Sequence, residues 1–443
     1  MRWSRHISEK CDTMRPILLI LIALVVFSIF TLPQLAHTAY RDEWLICSRY
    51  LAEGNLYRDK PYCVHPPLVY ALTLVSTKVF GFENLQTINV ALVGLSLAAI
   101  WAMMSGIISR ERLAINRDLF NVLFIFLIVA NATDLLTLMP IAFLLAGFIV
   151  FRQGPEPSRL IVSGILFSVS ILFKVVTSPI IAALLLHDVV FVKTRGRSRL
   201  VVPATIASVA LLFYLAFPNM VSHVVTAQAA YGIYTFRGML EALSPLDGLM
   251  KQKISFYILS LYLAYLFLKN RDIFSFLSLT MIPFFLTHIL RGGISVIYTL
   301  YYYIPFNVFI IFALLFERTR SRKDSARRWL NVFVLVVVIL YMSPIYKVWP
   351  LSEHLIDPDL VEFQYGFKFL PAGGRILTGY DNREHLEPLF KELGLRMSDY
   401  DFEYLQDITE TYGIDSLNAP MMLSAGIVKD VSWEAEEKKT LKS

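Results

Sequence analysis

Long apolar runs divided by short basic stretches constrain this chain more than anything else in it. Crossing a bilayer takes about 20 mostly apolar residues as a helix, and runs near that length recur between residues 16 and 347. Of the 443 residues, 56% are hydrophobic and only 17% are charged. That balance is too apolar for a soluble globule of this length and fits an all-α polytopic membrane protein. The expected spans, about eleven, are 16–36, 87–109, 118–132, 135–151, 159–175, 176–192, 200–217, 254–269, 273–290, 298–316 and 329–347. The first run is longer than a signal-peptide core, and no small-residue cleavage motif follows it, so it reads as a retained helix. No internal repeat of useful strength and no low-complexity tract is visible.

The basic residues set the orientation. Arg2, Arg5 and Arg15, then Arg110, Arg112 and Arg117, then Arg152 and Arg159 fall in alternate loops. So do Lys193 to Arg199, Lys269 and Arg271, and the run from Arg318 to Arg328. By the positive-inside rule these loops and the N-terminus are cytoplasmic. The first loop (37–86), the loop from Pro218 to Lys253 and the C-terminal segment then lie outside. The expected division is a membrane domain over 1–348 and a small α/β extracytoplasmic segment over 349–443. In that segment residues 374–379 read as a strand and 382–393 as a helix, too little for a large independent core. The three cysteines make no disulfide framework. Cys47 and Cys63 fall on one side of the expected membrane, so their pairing stays open.

The first outer loop carries the densest polar cluster. Asp42 and Glu43 precede a helical pattern in which Trp44, Cys47 and Leu51 share one face. Gly54-Asn55 ends it. This describes an amphipathic helix on a membrane surface, with Asp42 at its N-terminus, where the dipole favours an ionised carboxylate. Local pattern alone favours a plain N-cap role for Asp42. His65 precedes Pro66-Pro67, which holds it extended before a helix over 68–80. Three further charges stand at the outer ends of expected spans: Asp134, Lys174 and Arg291. Taken singly, Asp134 reads as an N-cap and Lys174 as a snorkelling side chain. Their shared side with Asp42 points to a site, because ionisable groups in or near hydrocarbon are expensive. Tyr298, Tyr301, Tyr302 and Tyr303 read as an interfacial aromatic belt.

These motifs resemble the GT-C membrane glycosyltransferases, in particular the protein-mannosyltransferase-like and aminoarabinose-transferase-like (family 39-type) branch. The matching features are Asp42-Glu43, Tyr50-Leu51-Ala52-Glu53-Gly54 and His65-Pro66-Pro67-Leu68. Asp134 matches a second outer Asp, Phe173-Lys174 through Pro179 a later Lys pattern, and Tyr302 to Pro305 a late Tyr-x-x-Pro segment. Asn89 stands near the place of the family's usual Arg.

The resemblance implies transfer of a sugar from a polyprenyl- or dolichyl-phosphate donor to an extracytoplasmic acceptor by a single inverting displacement. Asp42 would be the general base. Glu43 or Asp134 would orient the acceptor, or hold a divalent cation (Mg or Mn) with Asp42. His65, Lys174 and Arg291 would stabilise the departing lipid phosphate. Expected partners are the lipid-linked sugar, membrane lipids and a protein, lipid or polysaccharide acceptor, with no nucleic acid. No glycine-rich nucleotide loop occurs in a plausible strand–helix context. The competing class is a multi-pass transporter or lipid flippase, which predicts ionisable residues near the midplane and paired repeats.

Overall fold

A computed structural model describes residues 19–28, 47–48, 50–57, 63, 65–80, 85–111, 117–132, 135–191, 200–221, 224, 250–284, 303–321 and 324–342. Among these residues the fold is all-α, with no strand. The helices are α1 (Pro67–Phe80), α2 (Leu85–Arg110), α3 (Arg117–Leu127), α4 (Leu135–Phe151), α5 (Pro157–Phe173) and α6 (Ser178–Phe191). They continue with α7 (Val201–Ala216), α8 (Met250–Asn270), α9 (Ile273–Leu279), α10 (Ile304–Arg320) and α11 (Ser325–Met342). Residues 19–28 are also helical. The expected α/β segment over 349–443 lies outside the described residues.

Hydropathy located most helices to within a few residues, but two are interrupted where one continuous span was expected. The expected 118–132 span ends as α-helix at Leu127 and tightens into a 3-10 turn, Val129–Asn131. The buried Asn131 amide donates to the carbonyls of Phe126 (3.4 Å) and Leu127 (3.2 Å), taking the place of backbone donors the helix has lost. The expected 273–290 span leaves regular helix at Thr280. By length and composition one described stretch, Thr87–Arg110, is long and apolar enough to cross a membrane. The 17 residues of α4 or α5 rise only about 25 Å, against a hydrocarbon core of roughly 30 Å.

Two packing groups meet at α10. In the first, α4 and α5 form an antiparallel hairpin, α7 lies on α5, α2 on α4, and α1 on α5 and α2. Small residues permit the closest crossings. A Cβ on Gly164 would stand 2.7 Å from the Thr205 side chain, and one on Gly147 would stand 2.6 Å from the Phe167 ring. In the second group α9 packs on α6, α8 and α10, and α11 on α8, α3 and α10. Phe148 of α4 reaches across to Phe274 and Phe309 at ring-centre distances of 6.3 and 6.0 Å. Helix α10 is buried around its whole circumference from Ile304 to Leu315, as expected only of a helix with neighbours on every side.

The bundle has a basic end. Arg110 closes α2 and donates to the carbonyl of Arg152, which follows α4, at 3.1 Å. Arg152 in turn pairs with Glu111 at 3.1 Å. In the second group Glu317, near the end of α10, accepts from Arg327 of α11 and from Asn270 at the end of α8. Arg271, at φ 49°, bends the chain sharply, and Asp272 then caps α9 by accepting from the Ser275 N–H at 2.8 Å.

The outward surfaces are apolar. Leu186, Val189 and Val190 on α6, Leu211, Leu212 and Leu215 on α7, and Leu261 and Leu268 on α8 are all exposed. Conversely Ser163, Ser168 and Ser170 of α5 are buried. On α1 the exposed face holds Val75, Val79 and Phe80, while Thr73 and Ser76 point inward.

Candidate functional site

Lys174 is the residue where α5 stops. Its backbone is extended (φ −158°, ψ 122°), its N–H donates to the Ser170 carbonyl at 3.1 Å, and a 3-10 turn leads into α6. The side chain turns inward. Only 7% of Lys174 is exposed, and Nζ donates to Thr137 Oγ1 at 3.0 Å, in the first turn of α4. It does not snorkel outward, because α4 and its own turn enclose it. The turn is fixed by hydroxyls. Thr177 Oγ1 donates to the Lys174 carbonyl at 3.2 Å. Ser170 Oγ lies 2.7 Å from the Pro140 carbonyl and 2.9 Å from Thr177 Oγ1, and its single proton serves one of them at a time.

The starts of α4 and α10 and the end of α3 meet at this end of the bundle. Asn307 of α10 donates from Nδ2 to the Leu127 carbonyl at 3.0 Å, beside the Asn131 bond to the same oxygen. Tyr303 is 3% exposed and packs against Phe284 and Phe306 at ring-centre distances of 6.0 and 6.3 Å. It is therefore an interior residue and not part of an interfacial belt. Its two ring neighbours and the enclosed start of α10 explain the difference.

His65 sits in a separate clamp at the start of α1. Its N–H donates to the Tyr70 hydroxyl at 2.9 Å, and the Tyr57 hydroxyl donates to its carbonyl. Tyr57 is buried with φ 63°, a conformation that costs a bulky L-residue about 1–3 kcal/mol and persists only when its surroundings hold it. Tyr70 and Phe217 supply that hold, with ring centres 6.3 and 5.9 Å from Tyr57. The short helix before it closes as expected at Gly54 (φ 74°). Gly54 N–H donates to Leu51 at 3.2 Å and Asn55 N–H to Tyr50 at 2.8 Å, the two bonds of a Schellman cap. Cys47 and Cys63 are joined by a disulfide and fully buried. That answers a pairing the sequence left open, and it ties the helix to the His-Pro-Pro turn.

Of the six candidate residues, the structure describes Lys174 and His65. Asp42, Glu43, Asp134 and Arg291 lie outside the described residues, as does most of the loop from Pro218 to Lys253. Several polar residues at the site were not singled out from sequence. Thr137 stands three residues after Asp134 in the sequence, and that spacing was a usable signal. Tyr57 and Tyr70 carried none. Asn89 is completely buried, and among the described residues neither atom of its amide has a hydrogen-bond partner. Ser96, seven residues further along α2, touches Met139 of α4, which sets Asn89 about 10 Å nearer the Lys174 end.

No family model, curated protein or solved structure matches the chain.

Proposed function

We propose that the chain is a polytopic membrane glycosyltransferase of the GT-C type. It moves a sugar from a polyprenyl- or dolichyl-phosphate donor to an extracytoplasmic acceptor by a single inverting displacement. The observation that carries the reading is the buried ammonium of Lys174 at the end of the bundle away from the arginines. Burying an ammonium is expensive, so its place at this end of the bundle calls for polar surroundings. Thr137 is one of its acceptors, and in this reading the ammonium also stabilises the lipid phosphate as it leaves the anomeric carbon.

Three further features support the membrane setting. Continuous outward faces of Leu, Val and Phe on α6, α7, α8 and α1 suit hydrocarbon and not water. Helix breaks at Asn131 and Lys174 are enclosed by protein, a setting in which interrupted backbone is tolerated at membrane depth. The disulfide belongs to an oxidising compartment, which favours the outer face for the first loop.

In this reading Asp42 takes the proton from the acceptor hydroxyl or amine as its oxygen or nitrogen bonds the anomeric carbon. The carbon–oxygen bond to the lipid phosphate breaks, and its electron pair leaves with the phosphate. Lys174, with Arg291 and His65, meets that charge. Glu43 and Asp134 position the acceptor or a divalent cation. The clamp of Tyr57, Tyr70 and the disulfide fixes the loop that carries His65.

The test uses the purified chain in liposomes, host membrane extract and a panel of radiolabelled polyprenyl-phosphate monosaccharides. At least one donor releases polyprenyl phosphate, and Lys174→Met slows that release at least about 100-fold, as loss of one preorganised charge-stabilising group does. Folded protein that turns over no donor would overturn the reading in favour of a transporter.

A further inference from the structure

A half-open groove lies between α2 and α4 at the basic end, away from the candidate active site. Its volume is about 360 Å³, within the roughly 300–1,000 Å³ range of small-molecule sites. Met103 and Gly106 of α2 form one wall, and Phe148 and Ile149 of α4 the other. From Ala102 to Arg110 the apolar wall runs about 12 Å along the helix. Arg110, Glu111 and Arg152 close the end, so the mouth carries a net single positive charge.

Gly106 has no packing reason to be glycine. Gly147 and Gly164 must lack a Cβ because Phe167 and Thr205 stand in its place, but a Cβ on Gly106 would meet nothing within 4 Å. Inside a helix such a glycine costs roughly 0.5–1 kcal/mol relative to alanine. Gly94 is equally open, so the glycine alone decides nothing. Gly106 differs in lining a groove that ends in two arginines.

Those arginines have donors to spare. Arg110 gives one N–H to the Arg152 carbonyl, and Arg152 gives one to Glu111. Each guanidinium has five N–H donors in a planar fork suited to phosphate oxygens. Both side chains are exposed.

We propose that this groove binds one anionic phospholipid of the inner leaflet, its phosphate held between Arg110 and Arg152 and one acyl chain laid over Gly106. The apolar wall ends at the cationic mouth, so it matches a molecule that is apolar along its length and anionic at one end. The proposal rests on the membrane reading but not on the glycosyl-transfer reading.

The test uses the full-length chain, delipidated and placed in nanodiscs of phosphatidylcholine containing a small fraction of phosphatidylglycerol. Bound lipid is counted by native mass spectrometry. Wild type retains phosphatidylglycerol over phosphatidylcholine. Gly106→Leu, which fills the groove from open space, and the double variant R110Q/R152Q each lose that preference by about tenfold. Equal retention of the two lipids by wild type, unchanged preference in both variants, or displacement of the lipid by millimolar inorganic phosphate would overturn the site. Polyprenyl phosphate release is measured on the same preparations. In wild type, absent preference with turnover intact locates the fault in the lipid site. Absent turnover with preference intact locates it in the enzyme reading and leaves the site standing.

Discussion

Removing Arg327 should destabilise this protein far more than its place in a run of basic residues suggests. The Glu317 carboxylate is 1% exposed. Oε1 accepts from Arg327 Nε at 2.9 Å, and Oε2 accepts from Arg327 Nη2 at 2.9 Å and from Asn270 Nδ2 at 3.1 Å. One carboxylate therefore joins α8, α10 and α11. Arg327→Met strands that carboxylate with the Asn270 bond alone, and breaking a buried pair in this way costs about 3–5 kcal/mol. Glu317→Gln is milder. The Arg327 side chain keeps 20% exposure and can turn toward water, so the loss is a charge-assisted bond of about 1.5–3 kcal/mol. The pair Glu317→Leu with Arg327→Met leaves no stranded charge and should cost less than Arg327→Met alone. Reversible unfolding in mixed micelles, followed by tryptophan fluorescence, measures all three. Arg327→Met within about 0.5 kcal/mol of wild type, the range of an ordinary surface substitution, would refute the argument. So would a double variant that loses as much stability as Arg327→Met alone, or more.

Three more outcomes follow from the packing. Cys47→Ser, or mild reductant on wild type, lowers stability by about 3 kcal/mol, the chain-entropy value for a closed loop of this size. Identical thermal unfolding with and without reductant would contradict it. Gly147→Ala drives a methyl to 2.6 Å from the Phe167 ring and costs about 1–3 kcal/mol, whereas Gly94→Ala, with open space around it, is neutral or stabilising. Asn89→Leu removes two unsatisfied buried polar atoms and raises stability by about 1–3 kcal/mol. A lower melting temperature for that variant would show the amide to be bonded in the working protein.

Much of the helical fold was legible because apolar content alone locates a buried or lipid-facing helix. The expected 135–151 and 200–217 segments match α4 and α7 within about a residue, and the Gly54 stop and the Pro67 start both occur as expected. Breaks within apolar stretches were not legible. Asn131 and Thr280 interrupt runs whose hydropathy hardly changes, and although the Asn131 bonds are local, the Asn307 bond to the same Leu127 carbonyl comes from 180 residues away and is absent from any local window. Arg327 looked like a charge that sets topology. Its bond to Glu317 depends on how α10 and α11 cross, which residue spacing does not encode. For the candidate site, Lys174 was singled out by its place at a span end and His65 by the Pro66-Pro67 turn, and the structure gives the first an inward aim and the second a tyrosine clamp. The strained Tyr57 left no trace in sequence, because no propensity rule anticipates a left-handed tyrosine held by its neighbours.

The most direct measurement compares wild type with Asp42→Asn in liposomes, following release of polyprenyl phosphate from a labelled lipid-phosphate sugar and the anomeric configuration of the product. The account predicts inverted product from wild type and a rate at least about 100-fold lower in the variant, the contribution expected of a positioned general base. Equal rates in the two proteins, or product that retains the donor's anomeric configuration, would contradict it.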